Sequence, residues 1–213
     1  LLEALEGQKI RTKKRNTASE LDAVRRQQTN DYTDVERQHI RLLDALRDEL
    51  ADDAIIMGDI AQLVYTGTAA MKTLLPRTWF YPAGFGTLGC ALPDAIGAKL
   101  AAPEKTVVAL VGDGGFMFTV NELATAVEEG LSIPIIIWHN HSYAMIRDGM
   151  VKRRIPEIGV NPVAPDFCKL AEAFGCPGVN VESEAAFRSA FQNACKQTGP
   201  SLIIATENDD WLT

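Results

Sequence analysis

Patterns typical of buried strands alternate with helical patterns along most of the chain. Residues 106–111 and 133–138 form apolar runs that are typical of strands covered on both faces. Shorter, mainly apolar runs predict four further strands, which brings the total to six. The six runs span residues 54–57, 78–81, 106–111, 133–138, 179–181 and 202–205. Apolar positions at helical spacing predict helices over residues 34–51, 88–101, 121–129, 166–174 and 184–196. This alternation predicts an α/β fold, a doubly wound and mostly parallel sheet with helices on both faces.

The first 35 residues differ from the rest because they are polar and contain no strand pattern. We interpret 1–35 as a linker or the tail of a preceding domain, and 36–213 as the α/β domain with a helical N-terminal extension. A basic run at 9–15 is interpreted as a solvated face rather than a nucleic-acid tag. Because the chain begins with Leu1 and not with methionine, we expect it to be a fragment of a larger protein.

The composition excludes several classes of function. A length of 213 residues with 46% hydrophobic content suits an ordinary soluble domain. The formal net charge of −7 argues against broad binding to nucleic acid or acidic membranes. No apolar run approaches the ~18 residues of a membrane span. Four scattered cysteines suggest reduced thiols, and we expect a cytoplasmic protein.

Two polar clusters follow neighbouring strands of the predicted sheet. The run 106–111 leads directly into Gly112, Asp113, Gly114 and Gly115. The run 133–138 leads directly into His139, Asn140, His141, Ser142 and Tyr143. Since a right-handed crossover brings the ends of both strands to one edge of the sheet, the clusters are expected to converge.

The glycines of the first cluster indicate an anion-binding loop. Gly112, Gly114 and Gly115 leave their backbone N–H groups accessible at the start of a predicted helix. A carboxylate beside such a loop would repel an anion unless a cation lay between them. The oxygens of Asp113 and Asn140, a carbonyl near Ser142 and two phosphate oxygens would supply nearly all six ligands of Mg²⁺.

Two stretches of the sequence resemble a known family. VGDGGFMFTVNELATAVEEGLSIPIIIWHNHSY is similar to the cofactor-binding signature of thiamine diphosphate-dependent enzymes, which opens with Gly-Asp-Gly and closes with Asn-Asn. GFGTLGCALPDAIGAKLA resembles the companion segment of acetolactate synthases and related 2-oxo acid decarboxylases. The resemblance covers roughly residues 36–210 and implies the domain that binds the diphosphate half of the cofactor.

The resemblance implies a role for individual residues. Asp113, Asn140 and the carbonyl of Ser142 would bind Mg²⁺. Gly86 would contact the aminopyrimidine and Leu88 would bend the cofactor into its reactive V shape, which makes these two the candidate catalytic residues. The remaining expected cofactor contacts are Gln62, Gly112, Gly114, Gly115 and Tyr143.

Two positions depart from the family pattern. His139 stands where relatives usually carry the first of two asparagines. The resemblance therefore does not show that position 139 orders the neighbouring metal ligands as that asparagine is expected to do. Ser142 stands where glycine is frequent, although a serine carbonyl can serve equally well.

The resemblance also implies a reaction and partners. The parent enzyme would decarboxylate a 2-oxo acid, or transfer the product to a second carbonyl. GDIAQLVYTG is more similar to decarboxylases of guanidino- or branched 2-oxo acids than to biosynthetic acetolactate synthases. In the family, a glutamate on a separate N-terminal pyrimidine-binding domain activates the cofactor, and this chain has no second α/β domain. We therefore expect that domain as a partner, in a homodimer or homotetramer, and expect this piece alone to be inactive.

Three alternatives use the same residues differently. The glycines at 84–89 match the dinucleotide fingerprint G-x-G-x-x-G, as in an NAD-dependent dehydrogenase. His139, His141 and Asp113 could form a two-histidine, one-carboxylate iron site. The chain could also be a non-catalytic cofactor-binding or assembly module.

Overall fold

The fold is an α/β sheet flanked by helices, in a computed structural model that describes residues 17–213. All the strand pairs of the six-stranded sheet are parallel. The strands are β1 (Ile55–Gly58), β2 (Trp79–Phe80), β3 (Val107–Gly112), β4 (Pro134–His139), β5 (Gly178–Asn180) and β6 (Ser201–Thr206). Each corresponds to one of the six apolar runs, so the predicted fold class is confirmed.

Helices alternate with these strands. They are α1 (Thr17–Asp31), α2 (Asp34–Glu49), α3 (Gln62–Ala70), α4 (Ala91–Ala101), α5 (Asp113–Phe116), α6 (Glu122–Glu128), α7 (Ala144–Lys152), α8 (Phe167–Ala173) and α9 (Glu184–Lys196). The five predicted helices correspond to α2, α4, α6, α8 and α9. Among the described helices, none is both long and apolar enough to cross a bilayer.

The central strands are apolar on both faces because both faces are covered. Val108 and Leu110 of β3 pack into a core with α2, α3 and α9. Val107 and Ala109 pack into a second core with α4, α6 and α8. Side chains alternate between the faces of a strand, so β3 and β4 have no polar face to signal a surface.

The order of the strands, β2-β1-β3-β4-β6-β5, places a topological switch point between β1 and β3. From β1 the chain moves outward to β2, and it then returns to β3 on the other side of β1. Connections therefore leave β1 and β3 in opposite directions and open a crevice at their carboxyl ends, where ligands of such sheets bind.

The N-terminal residues form a separate unit. The chain divides into two compact units between Thr33 and Asp34. In the first, α1 is a polar helix whose Leu21 and Val24 are 49% and 62% exposed. No individual helix was predicted there, because the segment lacks an apolar stripe. The basic run at 9–15 lies outside the described residues, and the role of 1–35 as a linker stays a prediction.

Two predictions about individual helices were wrong in detail. The helix expected from residue 88 begins at Ala91, because Gly89 has a φ of 83° that a right-handed helix does not accommodate. One helix was expected between β3 and β4, but the chain forms the short α5 at Asp113 before α6. The helices α3 and α7 were not predicted.

Candidate functional site

Asp113 lies at the carboxyl end of β3, where it is the first residue of α5. Its side chain is buried and makes three hydrogen-bond contacts. Gly114 N donates to Oδ1 at 2.7 Å, and His141 N donates to Oδ2 at 2.7 Å. His139 Nδ1 lies 2.9 Å from the same Oδ2. The carboxylate is therefore held by groups from the ends of both β3 and β4.

Asn140 follows β4 and extends this cluster towards β1. Its Oδ1 accepts a hydrogen bond from Ser142 N at 3.3 Å. Its Nδ2 donates to Oε1 of Gln62, the first residue of α3, at 3.3 Å. Consecutive N–H groups, those of His141 and Ser142, thus contact the oxygens of Asp113 and Asn140. This places the two oxygen-bearing side chains side by side.

One cleft of about 280 Å³ opens above these strand ends. Among the residues that line it are all ten expected cofactor or metal contacts. They are Gln62, Gly86, Leu88, Gly112, Asp113, Gly114, Gly115, Asn140, Ser142 and Tyr143. Their roles as ligands stay predictions, but the fold gathers them around one space although they come from four separate segments of the chain.

Two glycines of the loop have no room for a side chain. A Cβ on Gly114 would lie 2.4 Å from Cε1 of Tyr143. A Cβ on Gly115 would lie 2.4 Å from Oδ2 of Asp59. Real Cβ atoms do not approach other atoms so closely, so each substitution would displace a neighbour. Packing therefore requires the bare backbone that an anion-binding loop also needs.

Asp59 is a buried acid that sequence reasoning missed. It follows β1 and is fully buried, and its carboxylate accepts hydrogen bonds from Gly89 N at 2.9 and 3.0 Å and from Ile60 N at 2.8 Å. Burial raises the pKa of the Asp59 carboxyl, while the bonds from Gly89 and Ile60 oppose that rise. Asp59 thereby attaches the segment that carries Gly86 and Leu88 to the sheet. Its only sequence signal was its place after a strand and a glycine.

The segment 84–89 adopts a conformation that suits glycine. Gly86 and Gly89 have φ values of 63° and 83°, in the left-handed region that other residues avoid. The strand before it, β2, has two residues and lies at the sheet edge. A dinucleotide fingerprint is a tight turn between a strand and a helix, and this irregular segment does not form one.

Helix α7 contributes polar groups that were also missed. Asp148 Oδ2 accepts from Gln62 Nε2 at 3.3 Å, and Arg147 donates to Asp148 Oδ1 at 3.0 Å. Arg147 Nη1 also donates to Ser142 Oγ at 3.0 Å. With the two bonds of Asn140, these contacts close a ring of hydrogen bonds beside the cleft. The ring ties α7, with the cleft-lining Met145 and Ile146, to the ends of β1 and β4.

The side-chain oxygens around the cleft are suitable ligands for a hard cation. Asp113 and Asn140 offer oxygens, as Mg²⁺ prefers, beside the backbone N–H groups that would hold an anionic ligand. Within residues 17–213, no group of three or more His, Cys, Asp or Glu side chains could hold a metal. The His139 and His141 rings pack against each other, with centroids 3.9 Å apart. The described residues therefore lend no support to the iron alternative.

Comparisons with known proteins match the same part of the chain. A family model described as "Thiamine pyrophosphate enzyme, C-terminal TPP binding domain" matches residues 59–205. The probable 2-ketoarginine decarboxylase of Pseudomonas aeruginosa is 43% identical over 171 residues, which are 78% of this chain and 30% of that protein. The large subunit of acetolactate synthase isozyme 1 of Escherichia coli is 31% identical over 167 residues, again 78% of this chain and 30% of that protein.

A solved structure of a thiamine diphosphate-dependent enzyme is also similar to this chain. The thiamine diphosphate-dependent 4-hydroxybenzoylformate decarboxylase of Rhodococcus jostii superposes with a TM-score of 0.74 at 29% identity. The match covers 81% of this chain and 33% of that one. The chain thus spans about a third of the length of the relatives that it matches.

Proposed function

Since this chain belongs to the thiamine pyrophosphate enzymes, as their C-terminal cofactor-binding domain, we propose that it binds thiamine diphosphate through Mg²⁺ at the cleft above β1, β3 and β4. Asp113, Asn140 and the Ser142 carbonyl are the proposed metal ligands. The observation that carries the proposal is the convergence of Asp113 and Asn140 beside the glycine loop. Two oxygen ligands beside a glycine loop at the start of a helix suit a diphosphate whose charge is bridged by a cation.

The other residues of the cleft have distinct proposed tasks. Gln62 accepts a hydrogen bond from Asn140 and lines the same cleft as the glycine loop, and its proposed task is to contact the diphosphate there. Leu88 lies close to the glycine loop, since a Cβ on Gly115 would be 3.5 Å from Leu88 Cδ2, and it provides an apolar support for the bent cofactor. Gly86, exposed at the cleft wall, offers its carbonyl to the aminopyrimidine.

The reaction follows from the cofactor and from residues that surround it. When bound, thiamine diphosphate supplies the nucleophilic carbon and the electron sink through which a 2-oxo acid loses carbon dioxide. The share of this chain is to bind the charged half of the cofactor and to exclude water around the reacting half with Leu88, Met145 and Ile146. The full protein is therefore proposed to be a decarboxylase or carboligase of 2-oxo acids in the cytoplasm.

The proposed substrate class is a guanidino or branched 2-oxo acid. It is supported by the higher identity to the 2-ketoarginine decarboxylase than to the acetolactate synthase. The proposed partner is a pyrimidine-binding domain that supplies the activating glutamate, in a homodimer or homotetramer. Met145, Ile146 and Val151 of α7 support this partner, because they leave apolar surface exposed at and beyond the cleft.

Isothermal titration calorimetry with this chain tests the proposed cofactor. We expect thiamine diphosphate to bind in the presence of Mg²⁺ and not after its removal with EDTA, whereas NAD should give no heat. Asp113→Ala is expected to abolish the Mg²⁺-dependent binding. Asp53→Ala is the matched control, because Asp53 is an exposed acid that precedes β1, at the end of the strand away from the cleft. Unchanged affinity in Asp113→Ala would refute the metal assignment, and binding of NAD instead would restore the dehydrogenase alternative.

A further inference from the structure

The two carboxylate oxygens of Asp113 differ in the number of hydrogen-bond contacts that they make. A carboxylate offers about four acceptor positions, two on each oxygen. Oδ2 uses both of its positions, one for His141 N and one for His139 Nδ1. Oδ1 accepts, among the described residues, only from Gly114 N. A single acceptor position therefore stays open on Oδ1, and a cation can bind there.

His139 is the only side chain among these three contacts, and its ring is fixed in place. It packs against the ring of Phe167 in a T-shaped arrangement, with centroids 5.4 Å apart and an interplanar angle of 89°. The other neighbour is His141, whose ring centroid lies at 3.9 Å. The side chains of His139 and Asp113 are 13% and 4% exposed, so water has little access to their contact. Substitution of His139 thus removes a contact that solvent cannot readily replace.

We infer that His139 positions Asp113 for the cation by donating a hydrogen bond from Nδ1 to Oδ2, which directs Oδ1 to the metal. This inference rests on the proposed function, because it deepens the role of the same site. A carboxylate that binds a cation carries no proton, so in the proposed arrangement Nδ1 of His139 is the donor. His139 is a positioning residue, since it acts through Asp113 and does not line the cleft.

The substitution of histidine for the usual asparagine is compatible with this role. An asparagine amide also donates an N–H, so both residue types can hold the same oxygen. The imidazole adds a planar ring that fills the space between Phe167 and His141, which an amide does not fill. Loss of a group that orients a metal ligand weakens metal affinity by about 10- to 100-fold in known sites.

The first test needs no cofactor. Long-range ¹H–¹⁵N spectra distinguish which ring nitrogen of a histidine carries the proton. The sequence has three histidines, so His139→Asn assigns the signal of His139 by its absence. We expect a proton on Nδ1 of His139 in the ligand-free chain. A proton on Nε2 alone would overturn the inference, because Nδ1 could then only accept.

The second test compares two substitutions of the same residue. His139→Phe keeps the ring and removes the donor, whereas His139→Asn keeps a donor and removes the ring. The measured quantity is the Mg²⁺ concentration that half-saturates thiamine diphosphate binding in calorimetry. We expect it to rise by about 10- to 100-fold in His139→Phe and by much less in His139→Asn. Equal values for His139→Phe and the wild type would overturn the inference.

Two controls separate the possible failures. Thermal unfolding without ligands shows whether a variant is merely less stable, since a purely structural role would lower the melting temperature without changing the Mg²⁺ requirement of the folded chain. If the wild-type chain bound no thiamine diphosphate with Mg²⁺, the proposed function would fail. The position of the proton on the His139 ring would still test, separately, whether Nδ1 donates a hydrogen bond to Asp113.

Discussion

Replacing His39 with glutamine is expected to remove a large part of the acid sensitivity of the fold. His39 lies in α2, is 1% exposed, and packs edge-on against Trp138 with ring centroids 4.6 Å apart. Its Nδ1 lies 2.8 Å from Thr66 Oγ1, while Nε2 has no hydrogen-bond partner within the described part of the chain. Burial lowers the pKa of His39 to about 4, and the charge of Glu36 opposes this only in part.

The lowered pKa determines both the sign and the size of the effect. Between pH 6.5 and about 4 the unfolded chain binds a proton at His39 and the folded protein does not, so the free energy of unfolding falls as the pH falls. The full difference corresponds to about 3 kcal/mol, and about 2 kcal/mol of it is lost between pH 7 and pH 5. Such a loss is a considerable part of the stability of an ordinary domain.

Urea unfolding at pH 7 and pH 5 measures this loss. Glutamine at position 39 does not titrate and can still hydrogen-bond to Thr66. Carboxyl groups with raised pKa values, such as Asp59 and Asp94, favour the fold as the pH falls, but they are common to both proteins and cancel in the difference. We expect the wild type to lose about 2 kcal/mol more than His39→Gln between the two pH values.

The reasoning would be refuted if the two proteins lost the same stability on acidification. An NMR titration of the wild type provides a second measurement that does not depend on the variant folding. A His39 imidazole that titrates near its ordinary pKa of 6.5 would show that burial does not exclude the proton.

Two substitutions beside the cleft and one control away from it give further predictions. Gly114→Ala is expected to displace the Tyr143 ring and to weaken Mg²⁺-dependent cofactor binding by at least about tenfold, because its Cβ would lie 2.4 Å from that ring. Gly97→Ala, in the exposed part of α4 with no atom within 4 Å of the new Cβ, should leave binding unchanged and raise stability by up to about 1 kcal/mol. Equal affinities in both variants would contradict the role of the glycine loop. Asp59→Ala should cost about 1–3 kcal/mol in urea unfolding for the buried Gly89 N–H that loses its acceptor, and an unchanged midpoint would contradict it.

The central strands could be predicted from the sequence because they are buried along almost their whole length. A strand such as β4, apolar at five successive positions, fits few places other than the centre of a covered sheet. The helices α1 and α7 were missed for the opposite reason. Neither has a strong apolar stripe, and the exposed Met145, Ile146 and Val151 of α7 do not repeat at core spacing. The start of α4 was misplaced because Gly89 adopts a left-handed conformation that the apolar pattern does not report.

The cleft residues that could be predicted from the strand pattern alone are those that follow β3 and β4 directly, whereas Gln62, Gly86 and Leu88 were predicted only from the family resemblance. Parallel strands bring their carboxyl ends together, so Asp113 and Asn140 had to converge whatever the details of the loops. Arg147 and Asp148 could not be found in this way, because their contacts with Ser142 and Gln62 depend on how α7 packs. Hydrogen bonds between side chains of separate elements leave no periodic trace in the sequence.

The same dipeptide, Gly-Asp, ends two adjacent strands, and the structure gives its two acids different fates. Asp59 after β1 is fully buried and does not line the cleft, because Gly89 donates to both of its oxygens and Ile60 to one. Asp113 after β3 lines the cleft and keeps an acceptor position on Oδ1. Gly89 lies thirty positions further along the chain, and its hydrogen bonds to Asp59 attach the Gly86 and Leu88 wall to β1. The oxygens of Asp59 are therefore occupied by hydrogen bonds that hold the cleft wall to β1. Asp113 keeps one acceptor position with which it can bind a ligand in the cleft.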